Sequence, residues 1–576
     1  MKLPGNTSVL KRQRARSIIT ATLIEAWPYL ILTALVFIVM RHVANSNWQE
    51  IFLYNGDSIT LPLVEQSLAR GEPFNWVFST QTFLFPEFPI YWMCSVVARS
   101  VRGALVLNAF VNVLVLYTLF RQFVRFVAPR HRLRQVVFAT TAVALYLACT
   151  ISERDLYIIP PGIVHPVFIA TLFMVSTYYY GVILISLTAI VLILWFTRRF
   201  RFGDLTRRRV VIFGLSTIVL CTLTSYSNPL LLLQFMLPAG VGLLFLVAVR
   251  RMPIRWFVTI VGSLVVSAVL GEALRLAFAR FLPGGIERYV DIDRADDSAR
   301  QLIFVVQSWS QSPAGLLKLT IVVVPIVASL CYLIYLIVYR AKGRPDSWHE
   351  PSTLDMFVTS FIFVSSVSLI AGQVVTGQVY TRYLIPLFIF PLMFLLLVAD
   401  ESSLGAPFRR VLNARRRWMP KATAAVAVAG IALSLVGIGL SVRPVARMAS
   451  ATVYEPAQCL DDWLDGRALN GTAQFMLGRP IMLYGDQRGA LVQVQNFVDV
   501  QAWMNNIALY ADRDFSYVLV DDENQRSTIV KRLGTPASVT SCPTFQIYDY
   551  AGTRGNDKLN GYITRWLNTY GGKYLK

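Results

Sequence analysis

Residues 207–251 read RRRVVIFGLSTIVLCTLTSYSNPLLLLQFMLPAGVGLLFLVAVRR. Three arginines open the stretch and two close it. Between them lie two apolar runs, 210–227 and 229–249, parted only by Ser225-Tyr226-Ser227-Asn228-Pro229. Each run is close to the roughly 20 residues a helix needs to cross about 30 Å of hydrocarbon. Basic residues mark the cytoplasmic ends of membrane helices. The stretch therefore predicts a membrane hairpin with both ends inside and a tight turn outside.

Outward from this hairpin the same pattern repeats. Further spans are expected at 18–40, 90–120 (with a break near Arg99 and Arg102), 135–152, 166–196, 256–278, 316–339, 354–372, 383–399 and 421–442, making about eleven crossings. The run 166–196 is too long for one straight crossing. Every second connection is basic: Lys11 to Arg16, Arg121 to Arg134, Arg198 to Arg209, Arg250 to Arg255, Arg340 to Arg344 and Arg409 to Lys421. The connections 41–89, 153–165, 225–228, 279–315 and 373–382 are poor in Lys and Arg. The expected protein is multi-pass in the cell membrane, with a cytoplasmic N-terminus and an extracytoplasmic C-terminal part. The first span is too long and too well anchored for a cleaved signal peptide.

Composition agrees. The 576-residue chain is 55% hydrophobic and 15% charged, with a mean hydropathy of +0.53. A soluble protein of this length needs more polar surface. The net charge of +21 suggests nucleic acid until it is divided. Residues 451–576 carry 12 Lys/Arg against 13 Asp/Glu, whereas residues 1–450 carry 42 against 20. The excess is a membrane-orientation signal, and no nucleic-acid partner is expected.

Residues 451–576 read as a soluble α/β domain, doubly wound or sandwich-like. Helices are expected at 457–464, 503–510 and 527–533, the last stopped by Gly534. Strands are expected at 491–494, 517–520 and 544–548, with an apolar run at 481–484. No glycine-rich phosphate loop follows a strand, so nucleotide binding is not expected. Cys459 and Cys542 are either a disulfide, allowed outside the cell, or two buried thiols. Cys94, Cys149, Cys221 and Cys331 fall in or beside apolar runs and act as small hydrophobes. No Cys/His cluster suggests zinc.

Polar residues gather at the expected outer ends of the spans. Asp57 lies in Tyr54-Asn55-Gly56-Asp57-Ser58-Ile59, before the amphipathic stretch 61–68, where its plain role is a helix N-cap. Glu153-Arg154-Asp155, with His165 after Pro160-Pro161, offers two carboxylates for a cation or a proton, or else a solvated ion pair. Asp291, Asp293, Asp296 and Asp297 read as a solvated loop or a substrate gate. Glu272 and Arg275 are one helical turn apart and should pair. Arg382, in Thr381-Arg382-Tyr383, is either an interface anchor or a forked contact for a lipid phosphate.

Together these features resemble the GT-C superfamily of membrane glycosyltransferases, which includes the protein O-mannosyltransferases and the aminoarabinose transferase of lipid A. The resemblance covers the whole architecture. It rests on about eleven spans, a long first outer loop bearing Asp57, an acidic second loop, the Arg382-Tyr383 entry before Pro386, and a tail from Cys459 to Tyr550 like those of bacterial members. Where the mannosyltransferases have an Asp-Glu pair, this chain has Asp57-Ser58. The resemblance implies inverting transfer of a sugar from a polyprenyl-phosphate donor to an extracytoplasmic acceptor of the cell envelope. It implies Asp57 as general base, Glu153, Asp155 and His165 shaping the acceptor site, and Arg382 with Tyr383 holding the donor phosphate. No cofactor is implied beyond an optional divalent cation. A transporter or lipid flippase is the main alternative, although no internal repeat supports it. A non-catalytic envelope assembly protein is the third.

Overall fold

The computed structural model describes residues 6–129, 132–153, 169–201, 203, 205–283, 290–341, 352–377, 379–399, 419–486, 491–521 and 525–575. It is mainly helical. Nine helices among the described residues are long and apolar enough to cross a membrane, as expected of a multi-pass membrane protein.

Two expected spans are shorter and irregular. The run 229–249 has a π-helical stretch, Leu232–Met236, leading into Leu237–Ala248. The run 383–399 is divided by Pro386 and Pro391 into Thr381–Leu384, Pro386–Ile389 and Leu392–Leu397. Each proline removes a backbone donor, which favours a break at these positions.

The expected span 90–120 is two helices, Glu87–Ala98 and Val101–Val127. Arg99 turns left-handed at φ 56°, and the Ser100 hydroxyl caps the second helix by accepting from Gly103 N at 3.1 Å. The overlong run 166–196 is resolved differently. Its described part is compact up to a 3-10 turn at Thr171–Met174, and the crossing helix begins only at Tyr180–Arg201.

Two neighbouring helices run side by side in the same direction, the Thr222 hydroxyl of one donating to the Ser267 carbonyl of the other at 3.4 Å. Arg207–Ser227 runs from the basic end to the Ser227–Asn228 turn, and Ile254–Ala277 runs from Arg255 to Glu272 and Arg275. At the basic end, Arg121 pairs with Glu25 at 2.6 Å and also contacts Gln135, joining three helices. The connection after the first span and the tail meet at the opposite end.

The tail is built on a six-stranded mixed sheet. Its strands are β2 (Asn470–Gln474), β3 (Leu491–Gln495), β4 (Asp499–Val500), β6 (Phe515–Val520), β7 (Ser538–Ser541) and β8 (Gln546–Asp549), in the order β4-β3-β2-β6-β8-β7. The central pairs β3–β2 and β2–β6 are parallel and the outer pairs antiparallel. This is the doubly wound alternative. All of Phe515–Val520 is buried, with Tyr517 and Leu519 in one apolar cluster and Val518 and Val520 in another. A strand covered on both faces reads as a continuous apolar run for this reason.

Several details depart from expectation. Residues 481–484 end the helix Phe475–Tyr484. The expected helix 503–510 is a short strand, β5 (Asn505–Asn506), and a 3-10 turn, Ile507–Tyr510. Strand β5 pairs with β1 (Trp76–Val77) of the connection after the first span, Trp76 opposite Asn506 and Val77 opposite Asn505. That pairing draws 505–506 into an extended conformation. A disulfide joins Cys459 to Cys542 across 83 residues, with Cα atoms 6.0 Å apart.

Candidate functional site

The connection after the first span folds back on the bundle as Trp48–Leu53, a turn, and the helix Thr60–Ala69. The turn carries Asp57. Its side chain does not cap the helix, whose N-cap is Ile59 with no side-chain bond. Backbone contacts hold Asp57 instead. Its N–H donates to Asn55 Oδ1 at 2.9 Å, and its carbonyl accepts from the Thr60 and Thr177 hydroxyls at 3.0 and 2.9 Å. The side chain is thereby left to point away from its own helix.

Asp57 Oδ2 pairs with an Arg382 Nη at 3.4 Å. The two residues are 325 positions apart, and both face a cavity of about 870 Å³. Asp57 Oδ1 and Arg382 Nε are buried in this site with no hydrogen-bond partner. Three rings surround the guanidinium, those of Tyr179, Tyr380 and Tyr383 at 5.9, 5.3 and 5.7 Å. Such an aromatic cage holds an arginine without consuming its N–H donors.

Burial pushes the Asp57 carboxyl above its ordinary pKa of 3.8, while Arg382, Arg479 and the Arg382 hydrogen bond pull it back down. Burial prevails. The result is a carboxylate more basic than one in water, paired with a guanidinium at the cavity wall. Such a pair can take a proton from a hydroxyl and hold an anionic oxygen.

Helix ends complete the cavity. Glu272 and Arg275 pair at 3.7 Å as expected, and Arg275 also donates to the carbonyls of Thr80 and Tyr226 at 2.9 and 3.1 Å. Of the four expected loop aspartates only Asp291 lines the cavity, while Asp293, Asp296 and Asp297 are exposed. Trp503 and Met504 of the tail form part of the wall.

Glu153 does not belong to this cavity. It is fully buried, and its carboxylate accepts from Ile169 N, Ala170 N and Thr171 N at 2.9, 2.9 and 2.8 Å and from Lys318 Nζ at 3.0 Å. Its lone pairs are spent on fixing the approach to the Thr171–Met174 turn, so its place is structural. Asp155 and His165 lie outside the described residues. Among the described residues no three His, Cys, Asp or Glu side chains gather as a metal site.

Sequence reasoning missed Tyr178, Tyr179 and Trp503, which line the cavity, and Arg479, which lies behind Asp57. Three successive tyrosines ahead of an apolar helix, and an arginine inside Phe475–Tyr484, were the available signals. No model of a known protein family matches the chain, and no curated protein matches it in sequence.

Proposed function

We propose that the protein is a membrane glycosyltransferase that moves a sugar from a polyprenyl-phosphate donor to a hydroxyl of an extracytoplasmic acceptor. The observation that carries this reading is the Asp57–Arg382 pair, facing one cavity. The Asp57 carboxylate takes the acceptor's hydroxyl proton as that oxygen attacks the anomeric carbon. The carbon–oxygen bond to the donor phosphate breaks on the far face, and the configuration inverts. The leaving polyprenyl phosphate carries its charge to Arg382, held in a tyrosine cage. A phosphate leaving group needs little acid assistance, so one base and one cation suffice.

Two features support an extracytoplasmic site. The cavity is lined from helix ends opposite the basic connections, and basic connections favour the cytoplasmic side. The tail that helps wall it holds the Cys459–Cys542 disulfide, which persists in oxidising compartments. Lining by helix ends also favours an interfacial transferase over a transporter, whose site sits midway through its helices. Membranes carrying Asp57→Asn should lose transfer of labelled sugar from a polyprenyl-phosphate donor at normal protein level. Undiminished transfer would remove Asp57 from the mechanism.

A further inference from the structure

The turn that presents Asp57 is gripped from behind by the tail. Arg479, 1% exposed, lies in the helix Phe475–Tyr484 and donates to acceptors on both sides of the junction. Its Nε–H reaches the Gly56 carbonyl at 3.0 Å, and an Nη reaches the Thr60 hydroxyl at 2.9 Å. The other Nη donates to Gln493 Oε1 at 3.3 Å and to the Met504 carbonyl. The first two acceptors bracket Asp57 in sequence. The Thr60 hydroxyl in turn shares its proton between the carbonyls of Gly56 and Asp57, at 3.3 and 3.0 Å. The last two acceptors belong to the tail, and Met504 adjoins Trp503 in the cavity wall.

Packing makes this grip specific. The Phe475 ring lies 4.9 Å from the guanidinium and so close to Gly56 that a Cβ there would meet it at 2.6 Å. Any side chain at residue 56 would have to displace the Phe475 ring. Four acceptors arranged around one buried plane suit a guanidinium and not an ammonium.

We propose that Arg479 is a positioning residue for the Asp57 base, so that the docked tail forms part of the reacting site. Its donors fix the turn, and its charge adds to that of Arg382 on the carboxylate. Other groups facing Asp57 are Tyr178 and Tyr179, with Tyr383, Glu272, Arg275 and Asp291 elsewhere on the cavity wall. The inference rests on the proposed role of Asp57, but its labelling readout does not require transfer.

The test labels Asp57 with a carbodiimide in the full-length purified protein over a range of pH and reads the extent by peptide mass spectrometry. Only the protonated carboxyl reacts. Arg479→Met should move the labelling midpoint up by about one pH unit, because an opposing charge is gone. Arg479→Lys keeps the charge and should restore the midpoint, while its kcat for sugar transfer stays below wild type by on the order of tenfold. Thr60→Val, a milder change, should lower kcat without moving the midpoint. An unmoved midpoint in Arg479→Met, with the Cys459–Cys542 bond intact and unfolding still cooperative, would overturn the proposal. If Arg479→Met does not fold, an undiminished kcat in Thr60→Val would overturn it. Absence of transfer by the wild-type protein would defeat the transferase reading alone, since the labelling comparison still decides the placement of Arg479.

Discussion

At the scale of single residues, the same side-chain type serves two ends according to which partners reach it. Asp57 has one oxygen on Arg382 at the cavity wall, whereas the Glu153 carboxylate is taken up by three backbone N–H groups and Lys318. Both were legible in sequence as acidic residues near span ends, but partner geometry is a tertiary property that spacing does not carry. A raised Asp57 pKa has a defined sign in kinetics. The base works only when deprotonated, so transfer should be constant at higher pH and fall as pH drops through a value above 3.8. Arg382→Gln removes a charge that lowers this pKa, and its acidic limb should move to higher pH. An acidic limb that stays put, measured as kcat against pH, would separate Arg382 from the base. Glu153→Gln belongs to stability. Removing the carboxylate opposite Lys318 should lower unfolding stability by about 3–5 kcal/mol in thermal denaturation of the detergent-solubilised protein.

At the scale of elements, apolar runs and basic connections located the spans well, because length and charge bias act locally. Breaks inside runs were harder to place. The division at Arg99 is fixed by Arg102, whose guanidinium donates to the Ala451 and Val453 carbonyls and lies 4.6 Å from the Tyr484 ring. That contact spans about 350 positions and leaves no local trace beyond two charges in an apolar run. The helix Phe475–Tyr484 was hidden by Pro480, and β5 took an extended form because β1 was there to pair with it. Arg102→Gln should release the linker into the tail, seen as faster proteolysis near residues 451–454, since the Ala451 and Val453 carbonyls lose their guanidinium donor. Reduction of Cys459–Cys542 should lower the stability of the tail by about 2–5 kcal/mol, visible as an earlier unfolding transition under reducing conditions. A transition unmoved by reductant would mean that the cross-link contributes nothing.

At the scale of the whole molecule, the tail and the connection after the first span are joined by the β1–β5 pair, by Arg479, and by the Tyr484 hydroxyl donating to the Leu53 carbonyl at 2.8 Å. The cavity wall thus draws on that connection, the helix ends and the tail together. The proposed extracytoplasmic sidedness rests on the basic connections at the opposite end of the bundle. A membrane-impermeant reagent should modify a cysteine placed at exposed Asp512 in intact cells, and protection there with labelling only after lysis would invert the topology. The reaction itself is most directly tested by single-turnover transfer with purified protein, labelled polyprenyl-phosphate sugar and an envelope acceptor. With donor saturating, Asp57→Asn should slow the chemical step by about 10²–10⁴-fold while donor binding is retained. A chemical step as fast as that of the wild-type protein would contradict the account.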